Sequence, residues 1–145
     1  MSRTGLAVFD KTLHETNLWL KKLMELLGTH DRAVAYGVLK ATLHALRDRI
    51  GPENATHLAA QLPILLRGVY YEGWHLAGTP TRERHTEGFL DHVRRELAMD
   101  SEADTELATR AVFEVMWEEL DQGEVAKLIR MLPTELRELW TGVDA

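Results

Sequence analysis

Apolar residues recur every three or four positions along most of the chain, the spacing of helices with one buried face. Phe9, Leu13, Leu20, Leu23 and Leu27 fall on one stripe, and Gly28 is placed to end that helix. Asp31 is placed to cap a second helix. Its inner positions include Val38, Leu39, Leu43, Leu46 and Ile50, and Gly51-Pro52 stops it. The pattern predicts a short third helix from Glu53 to about Gln61. Proline is tolerated in a first helical turn, so a fourth helix is expected from Pro63 to about Tyr71.

The second half follows the same plan. Thr86 precedes a helix carrying Phe89, Leu90, Val93 and Leu97. Ser101 with Asp104 resembles a capping box ahead of a helix that holds Val112, Phe113, Val115, Met116 and Leu120. Asp121-Gln122-Gly123 turns the chain into a short helix with Val125, Leu128 and Ile129, and Pro133 opens the last one. Gly73 to Arg84, with Gly78-Thr79-Pro80 inside it, reads as a linker. No stretch alternates with period two, so no sheet is expected.

The two halves are also related residue by residue. Leu62-Pro63-Ile64-Leu65-Leu66-Arg67-Gly68-Val69-Tyr70 returns 70 positions later as Leu132-Pro133-Thr134-Glu135-Leu136-Arg137-Glu138-Leu139-Trp140. That offset aligns 19–70 with 89–140 without a gap, and nine pairs are identical. They are Leu20/Leu90, Leu27/Leu97, Ala33/Ala103, Ala41/Ala111, Leu58/Leu128, Leu62/Leu132, Pro63/Pro133, Leu66/Leu136 and Arg67/Arg137. Nearly all are apolar, small or turn-forming, so the repetition copies a fold rather than a set of reactive groups. A unit that cannot bury its own apolar faces must pack against its neighbour. The expected architecture is therefore all-α: about eight helices in two tandem pseudo-symmetric four-helix repeats, packed as one compact bundle. Residues 1–145 form a single domain in this reading, with repeat one at about 6–72, a linker at about 73–84 and repeat two at about 85–141.

Composition narrows the function classes. The 145 residues are 45% hydrophobic, enough for a real core. The net charge of −6 opposes binding to nucleic acid or to anionic lipid. No run of apolar residues is long enough to span a membrane, and Met1-Ser2-Arg3-Thr4-Gly5 leads into no apolar signal core. The absence of cysteine excludes disulfides and thiolate zinc sites and fits a cytoplasmic location. The charge is uneven: residues 1–72 carry nine Lys/Arg against seven Asp/Glu, and residues 73–145 carry eight against sixteen. Complementary halves facing each other, within one chain or between two, are one reading of that asymmetry; differently solvated surfaces are the other.

Few residues suggest chemistry. Arg67 and Arg137 alone are both charged and duplicated, each three residues before an aromatic, Tyr70 or Trp140. A guanidinium there can stack on the ring and bond a preceding helix C-terminus, or the pair can bind anions. Glu72-Gly73-Trp74-His75 has the Glu-x-x-His spacing of carboxylate-bridged metal bundles, but the aligned positions are Gly142 and Ala145, so the partner motif is missing. His85, Glu87, Asp91, His92 and Glu96 form a second local cluster. His75, His85 and His92 are the metal candidates, set against the commoner case of scattered surface histidines. The acidic run of Asp100, Glu102, Asp104 and Glu106 suits a helix start and lacks the pattern of a calcium loop. No nucleophile elbow or phosphate loop is present, and no cofactor is implied. Trp117 aligns with Arg47 on a helix that is apolar nearly all round. Such a helix is central to the fold, with Trp117 in the core as the first reading, or it touches a partner, in which case Trp117, Phe113, Tyr71 and Trp74 are the candidate interface residues.

Several segments together resemble the bacterial family catalogued as domain of unknown function 2267. They are Leu6-Ala7-Val8-Phe9-Asp10-Lys11-Thr12-Leu13, Thr16-Asn17-Leu18-Trp19-Leu20, Leu43-His44-Ala45-Leu46-Arg47-Asp48-Arg49, Ala59-Ala60-Gln61-Leu62-Pro63, Arg67-Gly68-Val69-Tyr70-Tyr71-Glu72-Gly73-Trp74 and the stretch from Leu132 to Trp140. His75-Leu76 departs from the basic residue and proline that the family pattern would place there. The resemblance implies a small helical protein and brings no catalytic residues with it.

The leading expectation is a non-enzymatic interaction or regulatory module that meets a protein partner or a second copy of itself. A second reading is a small-ligand or metal-binding sensor with a site between the repeats near Arg67, Arg137, Tyr70 and Trp140. A third is a hydrolase using His75, His85 and Glu87.

Overall fold

A computed structural model describes residues 2–97 and 102–140, without the side chains of residues 102 and 103. Within them the chain forms eight α-helices and no strand. They are α1 (Ala7–Leu27), α2 (Arg32–Arg49), α3 (Pro52–Gln61), α4 (Ile64–Tyr71), α5 (Thr86–Leu97), α6 (Glu102–Glu119), α7 (Gln122–Met131) and α8 (Thr134–Arg137), the last tightening into a 3-10 turn at Glu138–Trp140.

The helix ends follow local chemistry. Gly28 takes a φ of 68°, and its N–H and that of Thr29 satisfy the carbonyls of Glu25 and Met24. The Asp31 carboxylate accepts the Ala33 N–H at 2.9 Å and starts α2. Gly51, at φ 86°, reverses the chain so that Pro52 can open α3, where its missing N–H costs nothing. Pro63 and Pro133 differ slightly from expectation. Each has ψ 146° and sits just outside its helix as the cap residue, because an extended ψ cannot continue a helical turn. The cap expected at Ser101, the acid at Asp100 and the positions of Gly142 and Ala145 lie outside the described residues.

Helix boundaries recur at the sequence offset. Spans 32–49 and 52–61 return as 102–119 and 122–131. Buried side chains pair the same way: Leu43 with Phe113, Leu46 with Met116, Ala55 with Val125, and Tyr70 with Trp140.

One apolar cluster contains residues from α1 to α8. Helix α2 packs against α1, α3, α4, α5 and α6, and α6 packs against α1, α5, α7 and the final turn. This placement explains the apolar residues that crowd the middle of α6, while its ends carry acids. Val112, Phe113, Val115 and Met116 are all buried, and Trp117 is half-buried against the cluster. Phe113 therefore departs from its expected role as a surface residue: it stacks on Trp140 with centroids 3.9 Å apart and rings 4° from parallel. At the α1–α6 contact, Lys22 reaches Glu118 at 3.3 Å and also Glu119, so some of the acidic excess of the second half is met within the chain.

The stack sets a stability prediction. Phe113→Ala is expected to cost about 3–5 kcal/mol, the usual range for emptying a buried aromatic site. Denaturant unfolding monitored by far-UV circular dichroism checks it, and a loss below about 1 kcal/mol would contradict the buried stack.

Candidate functional site

Two polar residues interrupt the inner face of α2. His44 and Arg47 lie one turn apart among Leu43, Leu46 and Ile50, and both are buried. A buried charge needs partners on every side. Arg47 has them: Nε and Nη2 bond the two Asp48 oxygens at 2.8 and 3.2 Å, and Nη1 donates to the carbonyls of Tyr70 and Glu72 at 2.8 and 3.0 Å. The guanidinium thus holds the C-terminus of α4, where helix carbonyls lack internal partners. His44 does similar work one turn earlier. Its Nε2 meets the Val69 carbonyl at 2.7 Å and its Nδ1 the Glu96 carboxylate at 3.0 Å, linking α2 to α4 and α5.

Asp48 carries the network onward. His92 of α5 lies between two carboxylates, with Nε2 3.5 Å from Asp48 and Nδ1 3.2 Å from Glu83. The bond to Asp48 is the main cause that raises the His92 pKa; burial opposes it and Glu83 reinforces it. For Asp48, burial is the largest influence and acts upward, but His92 and Arg47 together hold its carboxyl below the usual range. The segment at about 73–84, expected as a linker, is tied down by the same group. Thr81 N–H donates to the Asp48 carbonyl at 2.8 Å, and Arg49 Nε donates to the Glu83 carbonyl at 2.7 Å.

This cluster binds structure together rather than opening a reactive site. The two carboxylates sit on opposite nitrogens of one ring, so they cannot converge on an ion that the same imidazole also ligates. Among the described residues, no three His, Asp or Glu side chains gather as a metal would require.

The residues singled out in the sequence are dispersed. Arg67 donates to the carbonyls of Ala59, Leu62 and Ala60 at 2.9, 3.1 and 3.4 Å, at the end of α3. Arg137 makes the corresponding bonds to Leu132 and Arg130 at 2.8 and 2.7 Å, at the end of α7. Neither stacks on its neighbouring ring, because Tyr70 and Trp140 are turned wholly into the core. Tyr70 instead donates its hydroxyl to the Ala55 carbonyl at 2.8 Å, and burial pushes its phenol pKa up. The gap beside Trp140 is too small for a water molecule.

Tyr71 and Trp74 are half-buried and stack on each other at 5.5 Å. His75 is exposed, and α4 ends at Tyr71, so Glu72-x-x-His75 is not helical. His85 bonds Glu135 at 2.8 Å, and Glu135 also accepts the Thr86 N–H at 3.0 Å, capping α5 from α8. The His85 bond, then the Thr86 N–H, lower the Glu135 pKa. Of the metal candidates only His92 enters the polar cluster, and no bond among the described residues joins His75, His85 and Glu87. Sequence reasoning missed His44, Arg47 and Asp48. Their signal was two polar residues on an otherwise apolar helical stripe.

Two predictions come from these bonds. Arg67→Met should lose about 1–3 kcal/mol, the cost of leaving helix-end carbonyls without a donor; an unchanged melting temperature would remove the brace. For His92, a raised folded-state pKa means its stabilisation is complete below the unfolded value near 6.5 and fades as pH rises through the folded value. The stability gap between the wild type and His92→Gln should therefore be widest below that pH and shrink on the alkaline side. Urea unfolding across a pH series measures it, and a gap that grows with pH would contradict the assignment.

Among the described residues, no helix is long and apolar enough to cross a membrane. No curated protein matches the chain. A family model described as an uncharacterized conserved protein, DUF2267, matches residues 16–139, nearly the whole span of the eight helices. The chain belongs to the DUF2267 family.

Proposed function

We propose that the protein is a non-enzymatic helical interaction module, built on a duplicated four-helix unit, that works as a pair of identical chains joined along the edge where α1 meets α4. One observation carries this reading. Val8 and Phe9 of α1 are 45% and 53% exposed, and Ile64 and Leu65 of α4 are 51% and 44% exposed. The Leu65 N–H donates to Thr12 Oγ1 at 2.9 Å, which brings the start of α4 within a helical turn of Val8 and Phe9. Single exposed apolar residues are ordinary, whereas several on one edge mark a contact surface.

The charge pattern of α1 suits a second copy. Lys11 is exposed and Glu15 half-buried; the two are opposite in sign and one turn apart. An antiparallel copy of α1 would set each of them against its opposite, as a twofold contact requires. Cysteine-free composition supports a cytoplasmic setting for such a module. The internal engagement of His44, Arg47, Asp48 and His92 weighs against a hydrolytic role for them, since general acid–base work needs a group free to reach substrate.

Light scattering over a range of concentrations tests the pairing. A mass twice the 16.5 kDa of the chain is expected for the wild type. Phe9→Asp with Leu65→Asp should give the single-chain mass with an unchanged helical spectrum. Lys11→Glu should weaken the pair, and adding Glu15→Lys should restore it. A wild type that stays at the single-chain mass up to millimolar concentration would overturn the proposal.

A further inference from the structure

We propose that an open trough beside α1 is a binding site for a phosphorylated small organic molecule. The trough has a volume of about 610 Å³, within the range of roughly 300–1,000 Å³ that small-molecule sites occupy. Arg3, Lys21 and Arg32 surround it, with His14 on the rim and Leu18 and Met24 offering apolar surface. Asn17 and Lys21 lie one turn apart on α1, and Arg32, the first residue of α2, bonds the Asn17 amide oxygen from the other side.

The cationic side chains of this trough form no ion pairs among the described residues. Most cations elsewhere on α1 find an acid: Lys11 pairs with Glu15, and Lys22 with Glu118 and Glu119. Among the described residues, the side chains of Arg3 and Lys21 form no ion pair, although the Arg3 backbone N–H bonds the Asp10 carboxylate, and the Arg32 guanidinium meets only the neutral Asn17 amide. In an adjoining hollow that shares Arg3, His14 and Asn17, the Asp10 carboxylate is turned to Ser2 and Thr4 instead. Bonds from those two residues hold its pKa below the usual carboxylate range. Three like charges gathered on a chain of net charge −6 repel one another unless an anion joins them. At physiological salt the local field acts over about 8 Å, so the distant acids of the second half do not neutralise it.

Two features select the ligand class. The forked guanidinium groups of Arg3 and Arg32 match phosphate oxygens two at a time, with Lys21 adding a point charge. Leu18 and Met24 provide a place for an organic body, which a bare inorganic ion would leave uncovered. The site lies on a different face of α1 from Val8 and Thr12, so it is separate from the proposed pairing edge.

Isothermal titration of the full chain with adenosine diphosphate, inorganic pyrophosphate and citrate tests the proposal. Adenosine diphosphate should bind most tightly and citrate least. Lys21→Gln, on an exposed position of the helix, should weaken adenosine diphosphate binding about tenfold. Lys21→Gln with Arg32→Gln should abolish it while the helical spectrum is kept. Lys127→Gln, on α7 and outside the trough, should bind as the wild type does. Absence of binding by the wild type at millimolar probe would overturn the site, and so would equal losses in Lys127→Gln and Lys21→Gln. Citrate binding as tightly as pyrophosphate would overturn the phosphate assignment, and pyrophosphate binding as tightly as adenosine diphosphate would overturn the role of Leu18 and Met24.

Discussion

The buried guanidinium of Arg47 is the constraint on which the arrangement of the first half turns. A charge taken out of water costs several kcal/mol unless every hydrogen is matched. Arg47 meets this by drawing Asp48, the end of α4 and the start of the segment 72–85 to one point. Asp48 then engages His92 on α5 and, through its carbonyl, Thr81. Four parts of the chain are thus held by one side chain and its immediate neighbour. A methionine at the same place would fill the space but leave Asp48 and two helix-end carbonyls without their donor.

The second half solves the equivalent place differently. Trp117 stands where Arg47 does, half-buried, while α6 is surrounded by apolar contacts. The duplicated positions that did not diverge are those that packing and helix ends require. Arg67 and Arg137 bond carbonyls at matching positions, 60 and 62 in one half and 130 and 132 in the other. Tyr70 and Trp140 fill matching buried sites with different ring sizes, and Phe113 in place of Leu43 supplies the ring that stacks on Trp140. Bulk is thereby redistributed within a single cluster, as tight interior packing demands.

The interior polar groups are occupied by the fold, and the surface carries what is left over for partners. Helix α1 shows this most clearly. Its apolar face enters the core through Trp19 and Leu23 and runs on, toward the helix start, to exposed Val8 and Phe9, and another face lines the trough through His14, Asn17 and Lys21. Pinning of the 72–85 segment to α2 and α5 keeps the α4 end in register, and α4 in turn packs on α1. The proposed pairing edge is therefore a surface of the rigid body and not of a loose arm.

Helical periodicity, the Gly28 and Gly51 turns, the Asp31 cap and the Leu-Pro helix breaks were all legible in the sequence, because each depends on residues within a turn or two of one another. The 70-residue repetition likewise foretold matching helix spans and matching buried positions. What Arg67 and Arg137 touch was half legible: their neighbouring helix ends are local, but the turning of Tyr70 and Trp140 into the core, away from them, is not. The His92 bonds to Asp48 and Glu83, the burial of Arg47, the Glu135 cap on α5 and the meeting of Arg3 with Arg32 across α1 could not be read from the order of residues. Such contacts join residues far apart in the chain, and only the packing of helices decides which polar groups lose water and must find one another. The sequence by itself thus determined the helices and their pairing of apolar faces, and the tertiary structure decided which charges are spent inside and which remain available outside.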